Sequence, residues 1–287
     1  MTNNKTRARL CPNCRKLISA DEPRCPHCGM IKPTSWWHNN FVARLFHDGD
    51  QLIKAIIIVN AGMFAISIMF NHHLSGLSFN PLTVFAPDDQ SLLILGATGT
   101  IPIDRFHRWW TLISANYLHG GIVHILFNMI AFSQLAPLVN REYGAYRMIV
   151  IYMVGGITGF FISYLAGVGF TIGASAAVCG LMGASLYYGK ARGGVYGQLI
   201  YKQIGGWAVG IFLFGFIAPG INNWGHGGGI LAGAALGFLL GFQERKTETG
   251  FHKILAGTCI ALTVIALVWG VLSAGYYRMA GNYSATD

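Results

Sequence analysis

Seven apolar stretches of this sequence are candidates to cross a bilayer: residues 53–70, 122–139, 148–166, 174–189, 199–217, 226–242 and 254–274. A crossing of ~30 Å of hydrocarbon takes roughly 17–25 helical residues. The stretches hold no Asp, Glu or Arg, and their two lysines, Lys54 and Lys202, lie within four residues of an end. Lipid offers no hydrogen bonds to the backbone, so such a chain must cross as helices. The composition agrees, since only 11% of residues are charged and mean hydropathy is +0.46. A soluble domain carries about 25% charged residues.

The formal net charge of +9 invites a nucleic-acid reading, but the placement of charge argues against it. With the N-terminus inside, alternate connections collect every basic residue except Arg105, Arg108 and Arg278. This asymmetry is the positive-inside signature. The expectation is an integral membrane protein, of a bacterial plasma membrane, with a cytoplasmic N-terminus, an external C-terminus and no nucleic-acid partner. The first 34 residues are polar and cysteine-bearing, so no cleavable signal is expected there.

Two Cys-x-x-Cys knuckles, Cys11–Cys14 and Cys25–Cys28, stand ten residues apart. Four thiolates in that pattern suit tetrahedral Zn²⁺. Disulfides are the competing reading, disfavoured on a reducing cytoplasmic side. Residues 1–34 are therefore expected to form a small zinc ribbon whose folding depends on its structural metal; its partner is not legible. Residues 35–51 place Trp37, Phe41 and Leu45 at helical spacing, which suits an interfacial amphipathic linker. Residues 52–245 follow as a six-helix core, and 246–287 as a seventh span with a short external tail. The connection 71–121 is too long for a bare linker and is expected to pack partly into the outer leaflet.

Polar side chains inside such spans are costly and face the protein interior. Five concern us: Ser175 opening the fourth run, His226 opening the sixth, and His119, His124 and Asn128 at the start of the second. At 1.5 Å per residue, counting from the inner charges puts Ser175, His124, Asn128 and His226 all in the outer part of the slab. Gly225, Gly229, Gly233, Gly237 and Gly241 recur every fourth residue, a ridge that lets another backbone approach closely. Gly180, with Ala177 and Ala184, offers a matching face on the serine helix. Such glycines pack any bundle, but here they also carry His226 toward Ser175.

These residues resemble the rhomboid family of intramembrane serine proteases over roughly residues 50–245. His119, His124 and Asn128 match its HxxxxHxxxN motif, Gly173-Ala-Ser175 its GxS motif, and Gly225-His226 its histidine helix; Arg108-Trp109-Trp110 is similar to its first-loop segment. The resemblance implies an all-α polytopic membrane protein, a six-helix bundle plus a seventh C-terminal helix. It implies Ser175 as nucleophile, His226 as general base, and His124 and Asn128 as oxyanion donors. His119 and Gly173 would give structural support. Substrates would be single-span membrane proteins cut near the outer face, without a catalytic cofactor. Two positions depart from the pattern: Ala176 replaces the usual glycine, and Cys179 stands where an aromatic ring often stacks on the histidine. The alternative is an inactive rhomboid-like protein that binds transmembrane helices. A transporter fits less well, because no carboxylate lies in any span and no repeat of spans is apparent.

Overall fold

The computed structural model describes residues 8–11, 16–29, 32–34, 49–71, 85–218 and 220–279. It divides into two compact units, Met1–Ala55 and Ile56–Asp287. In the first, strands β1 (Ala8–Leu10) and β2 (Leu17–Ser19) pair antiparallel with Arg9 opposite Ile18. The expected amphipathic linker lies outside the described residues except for its last three, 49–51, which open the first long helix.

Among the described residues seven long helices follow, in keeping with an all-α polytopic fold. They are α1 (Gly49–Met69), α4 (Ile122–Tyr143), α5 (Ala145–Leu165), α6 (Ser175–Arg192), α7 (Gly194–Ile217), α8 (Asn223–Leu240) and α9 (Gly250–Met279). Five of them are long and apolar enough to span a membrane: α1, α4, α5, α7 and α9. The exceptions, α6 and α8, are rich in glycine and small residues and pack at the centre of the bundle with α5. The described part of the long connection before α4, from residue 85 onward, forms α2 (Asp89–Leu95), a π-turn at Ile101–Arg105, α3 (Thr111–Ser114) and a 3-10 turn at Ala115–Tyr117. Asp88 caps α2 by accepting the Ser91 amide at 2.6 Å, and Gly96 closes it at φ +111°.

Glycines set the spacing at the bundle centre. A Cβ on Gly229 would run into the Ala176 carbonyl, one on Gly233 into the Gly180 carbonyl, and one on Gly237 would lie 3.3 Å from the Ala184 Cα. These three contacts define a parallel register for α6 and α8, advancing four residues at a time on both. On the opposite face, a Cβ on Gly180 would stand 3.1 Å from the Gly155 Cα of α5. Three helices thus meet backbone to backbone, where dispersion and weak polar contacts replace the hydrophobic effect that lipid does not supply.

At the other end of the bundle, the α8–α9 connection is tied to the start of α5. Glu248 accepts the Tyr146 and Arg147 amides at 3.0 and 3.1 Å, two groups left without partners by the helix N-terminus. Arg147, fully buried, donates to the Lys246 and Thr247 carbonyls at 2.8 Å each. Burial raises the Glu248 carboxyl above its ordinary value, and the amides and Arg147 offset only part of that. Below the ordinary carboxylate range Glu248 is protonated folded or unfolded; as pH rises through the raised folded value, its contribution to stability is lost. Glu248→Gln, which keeps an acceptor without the charge, is expected to hold or raise thermal stability at pH 7. Glu248→Ala leaves two amides unmet and should cost about 1–3 kcal/mol. Unfolding curves of the two variants at pH 5 and pH 7 check both signs.

Candidate active site

Ser175 is the first residue of α6 and is partly exposed, with Ala174 at the cap position. The first intrahelical bond runs from the Val178 amide to the Ala174 carbonyl at 2.9 Å, so the Ser175 amide lies at the positive end of the helix without an intrahelical acceptor. The parallel register brings His226, in the first turn of α8, alongside. Its Nε2 stands 2.9 Å from the Ser175 Oγ, and the ring is 4% exposed. Its Nδ1 is buried without a hydrogen-bond partner among the described residues.

His124 and Asn128 share a face of α4, and Asn128 Nδ2 donates to the His124 carbonyl at 3.1 Å, leaving its second hydrogen uncommitted. The Gly120 amide donates to His124 Nδ1 at 3.3 Å. Neutral His124 therefore carries its proton on Nε2. That nitrogen points at Gly173: a Cβ there would lie 2.8 Å from His124 Nε2 and 3.7 Å from Ser175 Oγ. Gly173 has φ +123°, a conformation that favours glycine, and its missing side chain leaves open space between a donor and the serine hydroxyl. His119 is fully buried, and its ring meets His124 edge-on at 5.2 Å between centroids. All six residues singled out at this end of the bundle therefore lie in one neighbourhood.

Other residues, not singled out in the sequence, hold these groups in place. Asn222 caps α8 by accepting the Gly225 amide at 3.0 Å, and its Nδ2 reaches Ser163 Oγ at 2.7 Å and Thr171 Oγ1 at 3.0 Å. Thr171 also exchanges backbone hydrogen bonds with Thr98, at 2.7 and 3.1 Å. The Gly173 amide donates to the Ala115 carbonyl at 2.9 Å. An Asn pair ahead of a helix is a visible cap signal; the threonine contacts carry none. Cys179, fully buried one turn below Ser175, lies against Gly229, where a Cβ would come within 3.1 Å of its own.

In the N-terminal unit, the sulfurs of Cys11, Cys25 and Cys28 lie within 4.8 Å of one another, and those of Cys11 and Cys28 are 3.7 Å apart. Tetrahedral Zn–S bonds of ~2.3 Å put sulfurs about 3.8 Å apart, whereas a disulfide would hold them at ~2.05 Å. The three thiols could hold a metal ion. Cys14 lies outside the described residues.

Residues 107–243 match the Rhomboid domain. The mitochondrial RHOMBOID-like protein 6 of Arabidopsis thaliana is 31% identical over 232 residues, which cover 72% of this chain and 76% of the relative. The chain belongs to the rhomboid family. Rhomboid protease GluP of Bacillus subtilis is 29% identical over 85% of this chain and 46% of its own length. RHOMBOID-like protein 1 of Arabidopsis thaliana is 29% identical over 70% and 57%. The chain thus spans about half the length of these two relatives. In this rhomboid the matched segment runs from just before α3 to just past the end of α8, so it contains the whole cluster around Ser175 and His226. Family membership and five apolar helices make it an integral membrane protein.

Proposed function

We propose that this chain is an intramembrane serine endopeptidase in which Ser175 attacks and His226 serves as general base. The observation that carries the reading is the 2.9 Å contact between His226 Nε2 and Ser175 Oγ. In the mechanism it supports, Nε2 takes the hydroxyl proton as Oγ adds to the scissile carbonyl, then returns it to the leaving amine. His226 Nδ1 carries the other proton, and no carboxylate is needed as a third member. The oxyanion would be met by the Ser175 amide at the helix N-terminus, by His124 Nε2–H and by the uncommitted hydrogen of Asn128. The space beside Gly173, flanked by His124 and Ser175, is where the reacting carbonyl would sit. Hydrolysis of the acyl-enzyme by water, activated by the same imidazole, completes the cycle.

Asn128→Ala should lower kcat by roughly 10²–10³, the usual cost of one oxyanion donor, with KM changing far less; steady-state kinetics on a fluorogenic transmembrane-segment peptide would measure the split. The reading as a whole is tested by a fluorophosphonate probe. It should label the intact protein in detergent at Ser175 and leave Ser175→Ala unlabelled. An unlabelled, folded wild type would favour a rhomboid-like protein that binds transmembrane helices without cutting them.

The proposed substrates are single-span membrane proteins cut near the outer face, with the N-terminus of this chain cytoplasmic and its C-terminus external. The domain division stands with it: a zinc module over 1–34, a linker over 35–51, a protease core over 52–245 and a seventh helix beyond. Zinc held by Cys11, Cys14, Cys25 and Cys28 would be structural, with no part in the chemistry at Ser175. Purified protein should contain about one zinc per chain, the stoichiometry of a single Cys₄ site, and Cys25→Ser should lose it. Elemental analysis of the two proteins checks this directly.

A further inference from the structure

Helix α9 lies outside the segment matched to the Rhomboid domain, yet it packs on α5, α2 and α3. Gly270 is buried there, and a Cβ on it would lie 2.7 Å from the Leu95 carbonyl and 3.3 Å from the Trp110 ring. The last turn of α9 adds a second tie. The Arg108 guanidinium lies over the Tyr277 ring at 5.6 Å and over Phe106 at 5.2 Å, and it donates to the Leu93 carbonyl at 3.2 Å. The C-terminal end of α2 is therefore held by α9 on one side and by Arg108 on another.

From that end the contacts continue without a break. Ser114 Oγ donates to the Gly96 carbonyl at 2.8 Å. Two residues on, Thr98 pairs with Thr171, and its hydroxyl lies 3.0 Å from that of Thr111. Thr171 is where the path divides. Its backbone leads through Gly173 to Ser175, and its hydroxyl accepts from Asn222, which caps the helix of His226 and whose carbonyl accepts the His226 amide at 3.1 Å. One buried threonine is thereby bonded to the outer loop, the serine loop and the histidine helix.

We infer that α9 is a positioning element for the catalytic pair, setting the Ser175–His226 separation through Gly270, the α2 end and Thr171. The inference rests on the reading of Ser175 and His226 as catalytic. Gly270, Thr98 and Thr171 touch no reacting atom; they act through the loop that carries Ser175 and the cap that carries His226. Misplacement of reacting groups by about 1 Å can cost on the order of 10²-fold, so a modest shift of the loop is enough to be measured.

The test is the rate of fluorophosphonate labelling of the full chain in detergent, together with apparent unfolding temperature. Gly270→Leu should slow labelling by about tenfold or more. Ala256→Leu serves as the control: Ala256 is equally buried in α9 but 14 residues away, ~21 Å toward the other end. It should lower the unfolding temperature while folded protein labels at the wild-type rate. Thr171→Val should slow labelling as Gly270→Leu does, and Thr171→Ser, which keeps the hydroxyl, should restore it to within about twofold. Labelling of folded Gly270→Leu at the wild-type rate would overturn the inference, as would equal slowing in Ala256→Leu, or failure of Thr171→Ser to rescue. A wild type that takes no label would instead remove the catalytic reading beneath it, whatever the variants do.

Discussion

Ser175→Ala is expected to abolish peptide cleavage, and His226→Ala to do nearly the same, in a protein that remains folded. Removing the nucleophile or its base from a serine hydrolase costs roughly 10⁶ in kcat, and the two losses do not add, because the pair acts as a unit. Both side chains are at the end of the α6–α8 contact where the glycine register starts, and neither is one of the small residues that set it, so neither truncation disturbs that packing. Ser175 is partly exposed and gives up one hydroxyl. His226 is nearly buried, and its loss leaves a polar-lined gap that water can fill. The double variant should therefore be no slower than either single one. Cleavage at the wild-type rate by Ser175→Ala would end the catalytic reading, and an additive double variant would end the pairing.

Gly233→Val is expected to prevent assembly of the bundle. The added Cβ would overlap the Gly180 carbonyl, and Gly180 is itself pressed from behind, its own Cβ position lying 3.0 Å from the Ile151 carbonyl and 3.1 Å from the Gly155 Cα. Ordinary overpacking costs about 1–3 kcal/mol because side chains shift. Here the obstructing atoms are backbone on α6, with the backbone of α5 behind it, so no rotamer change relieves the clash. The loss should exceed that range and approach the whole stability of a typical domain, about 5–15 kcal/mol. Gly206→Val on α7, a position with nothing within 4 Å of its Cβ, is the matched control. Size-exclusion profiles and unfolding curves of the two in detergent separate a packing clash from a general intolerance of valine.

The helical, membrane-embedded architecture was legible because hydropathy is a sum over many residues, and each of the seven apolar runs lies largely within a long helix. The close approach of α6 and α8 could be read from the fourfold glycine repeat from Gly225 to Gly241, which has few uses other than helix contact. Gly155 and Gly159 of α5, which complete the centre with Gly156, share that spacing only once, too short a repeat to stand out. Thr98, Thr171 and Ser163 gave no signal either: a threonine in a loop looks the same whether it faces water or ties two loops together. Glu248 was equally silent, because a carboxylate in a short polar connection is ordinarily solvated. The cluster at Ser175 and His226 lies between these cases. Its residue types and spacings were visible, but the bond from Gly120 that fixes the proton on His124 Nε2 depends on loop geometry alone.

Of the seven long helices among the described residues, the two that carry Ser175 and His226 are the ones that fall short of the apolar threshold for a span. During biosynthesis such segments have little reason of their own to leave the translocation channel for lipid, since partitioning of a lone segment depends on its summed transfer free energy. Their entry into the bilayer would draw on neighbours already there, α5 ahead of α6 and α7 ahead of α8. A cell making this protein would thus bring Ser175 and His226 together only once a greasier helix ahead of each had built a place to receive it.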